Sequence, residues 1–171
     1  MNTSDHNFKL IIGLGNPDTK YQNTYHNVGH LFVDYLQKTY NLQPTTYNLL
    51  KSDVYMNKSG SFVKKVIKKY NAKPEELLVI HDDSDIEVGS YKLSFNRGAA
   101  GHHGIENIMA TIKTNKFWRL RIGIRPQQKE GVSRLKAENF VLKKITNANK
   151  KIIESVFKKA VQEITGEQDT N

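Results

Sequence analysis

The chain has 171 residues, no cysteine, and 26 lysines and arginines against 17 acids, for a formal net charge of +9. A length of this order fits one domain, residues 1–171, and the lack of cysteine excludes disulfides and thiolate metal sites and suits a reducing compartment. No signal-like start and no apolar run near the roughly 18 residues of a membrane span are present, so the expectation is a cytoplasmic protein without a membrane partner, whose positive field favours polyanions.

In chain order, residues 8–14 read as a buried strand ending in Gly13-Leu14-Gly15. Val28, Leu31, Phe32, Tyr35 and Leu36 then recur at helical spacing over residues 27–40. Residues 41–55 are irregular, with a short strand before Met56. Phe62, Val63, Val66 and Ile67 mark a helix over residues 59–70, a turn follows at residues 73–76, and Leu77-Leu78-Val79-Ile80 is an apolar strand. Residues 91–95 form a strand and residues 96–104 a Gly/Ala-rich loop. Ile105, Ile108, Met109 and Ile112 mark a helix. Residues 117–124 read as a strand with Arg119 and Arg121 on one face, and residues 140–142 as a short strand. Ile152, Ile153, Val156, Phe157, Ala160, Val161 and Ile164 define a C-terminal amphipathic helix. Strands alternating with helices imply an α/β sandwich around a central sheet, with functional groups on loops at strand ends.

Four polar clusters stand out. The first, Gly13 to His26, holds Gly13-x-Gly15 without the third glycine of a dinucleotide fingerprint. His26 falls at the start of a helix, where the positive dipole end disfavours imidazolium and leaves a ring able to accept a proton. The second is Tyr55-Met56-Asn57-Lys58-Ser59-Gly60, in which Asn57 or a serine either caps the next helix or faces a ligand. The third, His81-Asp82-Asp83-Ser84-Asp85, offers oxygen ligands for a cation without EF-hand spacing, or one carboxylate that orients a histidine. The fourth, Arg97 to Gly104, combines small residues with His102 and His103 ahead of a helix, where backbone N–H groups attract phosphate or an oxyanion; the two histidines lack a third metal ligand at diagnostic spacing.

Together these clusters resemble the bacterial peptidyl-tRNA hydrolase family. The resemblance rests on Ile12-Gly13-Leu14-Gly15-Asn16-Pro17, Tyr21, Thr24, His26-Asn27-Val28-Gly29, the Tyr55–Gly60 and His81–Asp85 clusters, Gly101-His102-His103-Gly104 and Arg119-Leu120-Arg121-Ile122-Gly123-Ile124, in that order over nearly the whole chain. It implies a monomeric three-layer sandwich with a mixed twisted sheet flanked by helices, acting on the ester between a peptide and the 3′ end of tRNA. It also implies His26 as general base, Asp82 holding it, and Asn16 distinguishing N-blocked from free aminoacyl-tRNA. Tyr21, Tyr55, Asn57 and His103 would line the substrate site, with no metal and no cofactor. For the tRNA backbone, Lys92, Arg97, Arg119, Arg121 and Arg134 are the expected contacts, phosphate-directed because one enzyme must accept many tRNAs. The rivals are a non-catalytic RNA-binding protein on the same fold and a metal-dependent hydrolase built on Asp82, Asp83 and Asp85.

Three departures from the family pattern stand out. Residues 41–54 are shorter, Ser94 occupies a second basic position, and His103 replaces the usual asparagine. A neutral imidazole offers one donor and one acceptor, whereas a protonated ring offers donors only. The contact at His103 therefore becomes sensitive to pH near the imidazole range of about 6–7. The pH–rate profile of His103→Asn is expected to differ from that of the unchanged protein in this range; superimposable profiles would remove the idea.

Overall fold

The computed structural model describes residues 6–39, 47–127 and 135–166. Arg134 and the first part of the shortened 41–54 stretch lie outside the described residues. Five strands form one sheet in the order β2-β1-β3-β5-β4: β1 (Leu10–Gly13), β2 (Asn48–Lys51), β3 (Leu77–Glu87), β4 (Tyr91–Phe95) and β5 (Trp118–Arg125). All neighbours are parallel except β4, which runs antiparallel along β5 and makes the sheet mixed.

The helices sort by the face their apolar stripe can cover. Val28, Phe32 and Leu36 of α1 (Val28–Thr39), with Ile153, Val156, Phe157, Ala160, Val161 and Ile164 of α4 (Asn147–Thr165), pack on Ile11, Leu78, Ile80, Leu120, Ile122 and Ile124. Val63 and Val66 of α2 (Ser59–Tyr70), with Ile105 and Ile108 of α3 (His103–Ile112), cover Leu10, Ile12, Leu77 and Val79 on the other face. The period-two alternation of β1 and β3 supplies both layers at once, as a strand buried on two faces must.

Two expectations are corrected. β3 does not stop at Ile80 but continues through His81, Asp82 and Asp83 to Glu87. His81, Asp82 and Asp83 stay in the strand because each side chain makes a hydrogen bond, and the alternation turns successive side chains to opposite sides. Residues 140–142 are not a strand: they come after a 3₁₀ turn, Ala137–Asn139, and their backbone serves another purpose, since Val141 O and Lys143 O accept from His26 N and Tyr25 N at 2.8 and 3.2 Å.

A backbone contact between helix and sheet positions the turn that carries His26. α1 begins directly after this 3₁₀ turn, Tyr25–Asn27, and its Gly29 lies against the ends of β1 and β3. A Cβ added at Gly29 would stand 2.4 Å from Ile80 O and 2.6 Å from Leu14 N; one added at Gly13 would stand 2.2 Å from Gly29 O. Helix and sheet meet here backbone to backbone, which brings His26 down to the level of Asp82. Gly29→Ala is therefore expected to cost about 2 kcal/mol or more, because the obstruction is carbonyl backbone rather than a movable side chain. Thermal unfolding should show a fall of roughly 4–8 °C; an unchanged midpoint would contradict the packing described.

Candidate active site

His26 is fixed first through its own backbone. Its N–H donates to Val141 O, and the neighbouring Tyr25 is buried with its hydroxyl accepting from Asn149 Nδ2 at 2.7 Å. The side chain of His26 is left 15% exposed, on the lining of a cleft of about 640 Å³.

Asp82, only 2% exposed, comes from the middle of β3. Its Oδ1 lies 2.8 Å from His26 Nδ1 and 3.1 Å from His102 Nε2. A carboxylate accepts only, so both ring nitrogens donate to it. His102 Nδ1 in turn accepts from Ile105 N–H at 3.3 Å and caps the first turn of α3, so each ring is committed to one tautomer. For His26 that tautomer carries its hydrogen on Nδ1 and leaves the Nε2 lone pair unused by Asp82.

The electrostatics derive from this arrangement. Burial penalises the charge of Asp82, but His26 and His102 overcome that penalty and hold its carboxyl well below the usual carboxylate range. Burial likewise opposes protonation of His26, yet the Asp82 charge and hydrogen bond prevail and raise its pKa above the ordinary 6.5. This reverses the sequence-based expectation that the helix end would keep the ring neutral: His26 sits in a 3₁₀ turn ahead of α1, and a carboxylate at 2.8 Å outweighs a helix terminus. His81 behaves oppositely. Burial first, then the neighbouring His102 and Arg119, press its pKa far below the ordinary value, and Nδ1 donates to Asp82 O at 2.6 Å. Its neutral ring stands edge-on to His102, with centroids 4.7 Å apart, and supports that ring from below.

The carboxamides line the same cleft. Asn27 holds the backbone of Asn16 from both sides, its Oδ1 accepting from Asn16 N and its Nδ2 donating to Asn16 O, each at 2.9 Å. Asn16 Oδ1 accepts from Met56 N–H at 2.9 Å, which leaves the NH₂ end of the amide for the cleft. Asn57 lies in a 3₁₀ turn, Met56–Lys58, exposed and on the cleft lining. The residue in the cap position of α2 is Lys58, and the serines bond locally, so Asn57 is not spent as a helix cap. A Cβ at Gly104 would meet Met56 Sδ at 2.5 Å, a close approach that sets the Met56–Lys58 turn beside His102.

The remaining sequence candidates divide. Tyr55 and His103 line the cleft, though the His103 ring is 84% exposed and pairs with Glu106 at 3.1 Å. Tyr21 is not on the lining; its ring lies beneath Lys20 Nζ, 4.9 Å from the centroid. Lys92, Arg97 and Arg121 share a separate open groove with Ser94. Arg121 is tied there to Asp83 by Nε–H at 2.7 Å. Arg119 is corrected: it is 1% exposed, donates from Nη2 to Gly98 O at 2.8 Å, and is pushed down to about 10 by burial and then by Arg121, so it anchors the 96–101 loop rather than meeting a phosphate. Sequence reasoning weighed His102 only as a metal ligand and gave Asn27 no role. Both belong to motifs it singled out, but only the fold shows that they hold Asp82 and Asn16.

The ligand atoms of His26, Asp82 and His102 lie within 4.8 Å of one another. A divalent ion there would require both rings to surrender the hydrogens they direct at Asp82. It would also place a proton on His102 Nδ1, where the α3 backbone now donates. This donor set suits proton transfer better than coordination. The carboxylates of the alternative cation site are each engaged elsewhere: Asp82 by the two histidines, Asp83 Oδ2 by Arg121 Nε–H at 2.7 Å, and Asp85 Oδ1 by Arg125 Nη2 at 3.3 Å.

A model of the peptidyl-tRNA hydrolase family matches residues 10–168. A peptidyl-tRNA hydrolase of Sulfurihydrogenibium sp. is 39% identical, over 87% of this chain and 85% of its own; that of Aquifex aeolicus is 36% identical, over 90% and 86%. Among solved structures, a peptidyl-tRNA hydrolase in complex with N-propanol superposes with a TM-score of 0.79 at 30% identity, covering 94% of this chain and 90% of that one. The enzyme of Acinetobacter baumannii gives 0.77 at 29% identity, over 94% and 90%.

A base that works unprotonated sets the acid limb of kcat/KM. Because Asp82 raises the His26 pKa, that limb is expected to have its midpoint above 6.5, with the rate rising as pH rises through it. In Asp82→Asn only the lowering effect of burial remains, so the limb should move to lower pH while the plateau falls. A limb that stays in place would contradict the pairing.

Proposed function

This chain belongs to the peptidyl-tRNA hydrolase family and hydrolyses the ester between a peptide and tRNA, releasing tRNA for reuse, and we propose that His26 and Asp82 carry the chemistry. His26 Nε2 takes a proton from a water in the cleft as its oxygen attacks the ester carbonyl. Asp82, facing Nδ1–H, stabilises the imidazolium that forms. The carbonyl oxygen becomes an oxyanion, and the amide hydrogens of Asn16 and Asn57 are the donors for it and for the peptide backbone. Collapse of the intermediate breaks the bond to the 3′ oxygen, which leaves with the proton held on His26. The products are a peptide carboxylic acid and a tRNA with a free hydroxyl.

The observation that carries this assignment is the 2.8 Å bond between Nδ1 of His26, a residue that lines an open cleft, and a buried carboxylate. Asn16 would select N-blocked substrates through its fixed NH₂ end, while Tyr55 and His103 would flank the peptide and the terminal nucleotide. Tyr21 would act from behind the Asn16 loop. Lys92, Arg97 and Arg121, with Arg134, would hold backbone phosphates. The reading extends to one domain acting as a monomer in the cytoplasm, without metal or cofactor; among the described residues no helix is long and apolar enough to cross a membrane.

The test is single-turnover release from N-acetyl-aminoacyl-tRNA in the presence of a chelator. His26→Ala is expected to lose about 10²–10⁴-fold in rate while tRNA affinity stays within about twofold. Release that disappears in chelator would contradict metal independence, and a fully active His26→Ala would overturn the assignment of the base.

A further inference from the structure

The wall of the cleft beside Asn16 is closed by two hydrogen bonds between the loop after β1 and the turn before α2. The inner one is Met56 N–H to Asn16 Oδ1. The outer one is at the surface, where the Tyr55 hydroxyl donates to Asp18 Oδ2 at 2.6 Å. Tyr55 lines the cleft and is 45% exposed; Asp18 is not itself on the lining, and this bond holds its carboxylate just outside, against the Tyr55 hydroxyl, two residues along the chain from the amide assigned to the peptide.

The protein itself does little to neutralise that charge. Lys20 Nζ stands 3.9 Å from Oδ2 with both side chains well exposed, and the same ammonium leans over the Tyr21 ring. An exposed pair at such a distance is weak. A hydroxyl donor, unlike a cation, orients a carboxylate without cancelling it. Lys58 and Glu138, which also line the cleft, carry opposite signs. Asp18 is therefore a fixed negative charge just outside the end of the cleft where Asn16 stands. The groove assigned to phosphate is lined by Lys92, Arg97 and Arg121.

We propose that Asp18, held just outside the cleft by Tyr55, reads the charge of the peptide. A cationic side chain just beyond the ester-linked residue is favoured, and an acidic one is disfavoured. This rests on the cleft being the peptide site. Asp18 acts on substrate selection, and the proton transfer is left to His26.

The experiment uses one tRNA carrying N-acetylated dipeptides that differ only in the outer residue: lysine, glutamine or glutamate. In the unchanged protein kcat/KM for lysine should exceed that for glutamate by about threefold to fivefold, an effect the size of one exposed charge pair, expressed in KM and shrinking as salt is raised. Asp18→Asn should bring the ratio close to one, and Asp18→Glu should retain the preference. Comparing substrates within each variant cancels any general loss of folded protein. Equal rates with all three substrates, or a lysine preference that survives Asp18→Asn, would overturn this proposal while leaving the hydrolase intact. Failure of the unchanged protein to release even the glutamine dipeptide would overturn the reading of the cleft, and this one with it.

Discussion

A carboxylate taken out of water must be paired or it becomes neutral. Asp82 meets that condition by accepting from two imidazoles at a single oxygen, one ring from the turn before α1 and one from the N-terminus of α3. Three segments distant in sequence are thereby tied to one atom in the centre of the sheet. The same bonds fix both tautomers, keep the aspartate ionised and strengthen His26 as a proton acceptor. Removing either ring would leave part of a buried charge unsatisfied, so the requirement for a folded interior and the requirement for the proposed base coincide here.

The scaffold around Asp82 consists of contacts with little tolerance. The Gly29 approach lowers α1 onto the sheet, Gly104 lets the Met56–Lys58 turn lie against α3, and Val141 O holds the His26 backbone. Asn27 clamps Asn16 in the same way, by satisfying its backbone so that its side chain is left for the cleft. The site is therefore assembled from main-chain positions at strand ends, which allows a short chain to present two imidazoles, a carboxylate and several amides in one place.

Much of the architecture could be read from periodicity. The apolar spacing of α1, α2 and α4 and the strand at residues 91–95 correspond to elements of the structure, because those segments bury a simple face. Where the reading failed, polar residues found partners that no local pattern reveals. β3 runs on through His81, Asp82 and Asp83 because Asp83 meets Arg121 across the sheet. Arg119, charged and so expected at the surface, is buried because its guanidinium serves the Gly98 carbonyl. The motifs themselves were legible, and the structure brings His26, Asp82, Asn16, Tyr55 and Asn57 from them onto one cleft lining. The partnership of His102 with Asp82 was not legible, since adjacent histidines in a Gly-rich loop give no sign of which one turns inward.

The most direct measurement of the central claim is the nitrogen NMR signature of the His26 ring across a pH titration. The expected result is a neutral ring with its hydrogen on Nδ1, facing Asp82, and a titration midpoint above 6.5. A neutral ring with its hydrogen on Nε2, or a midpoint below 6.5, would contradict the pairing of His26 with Asp82.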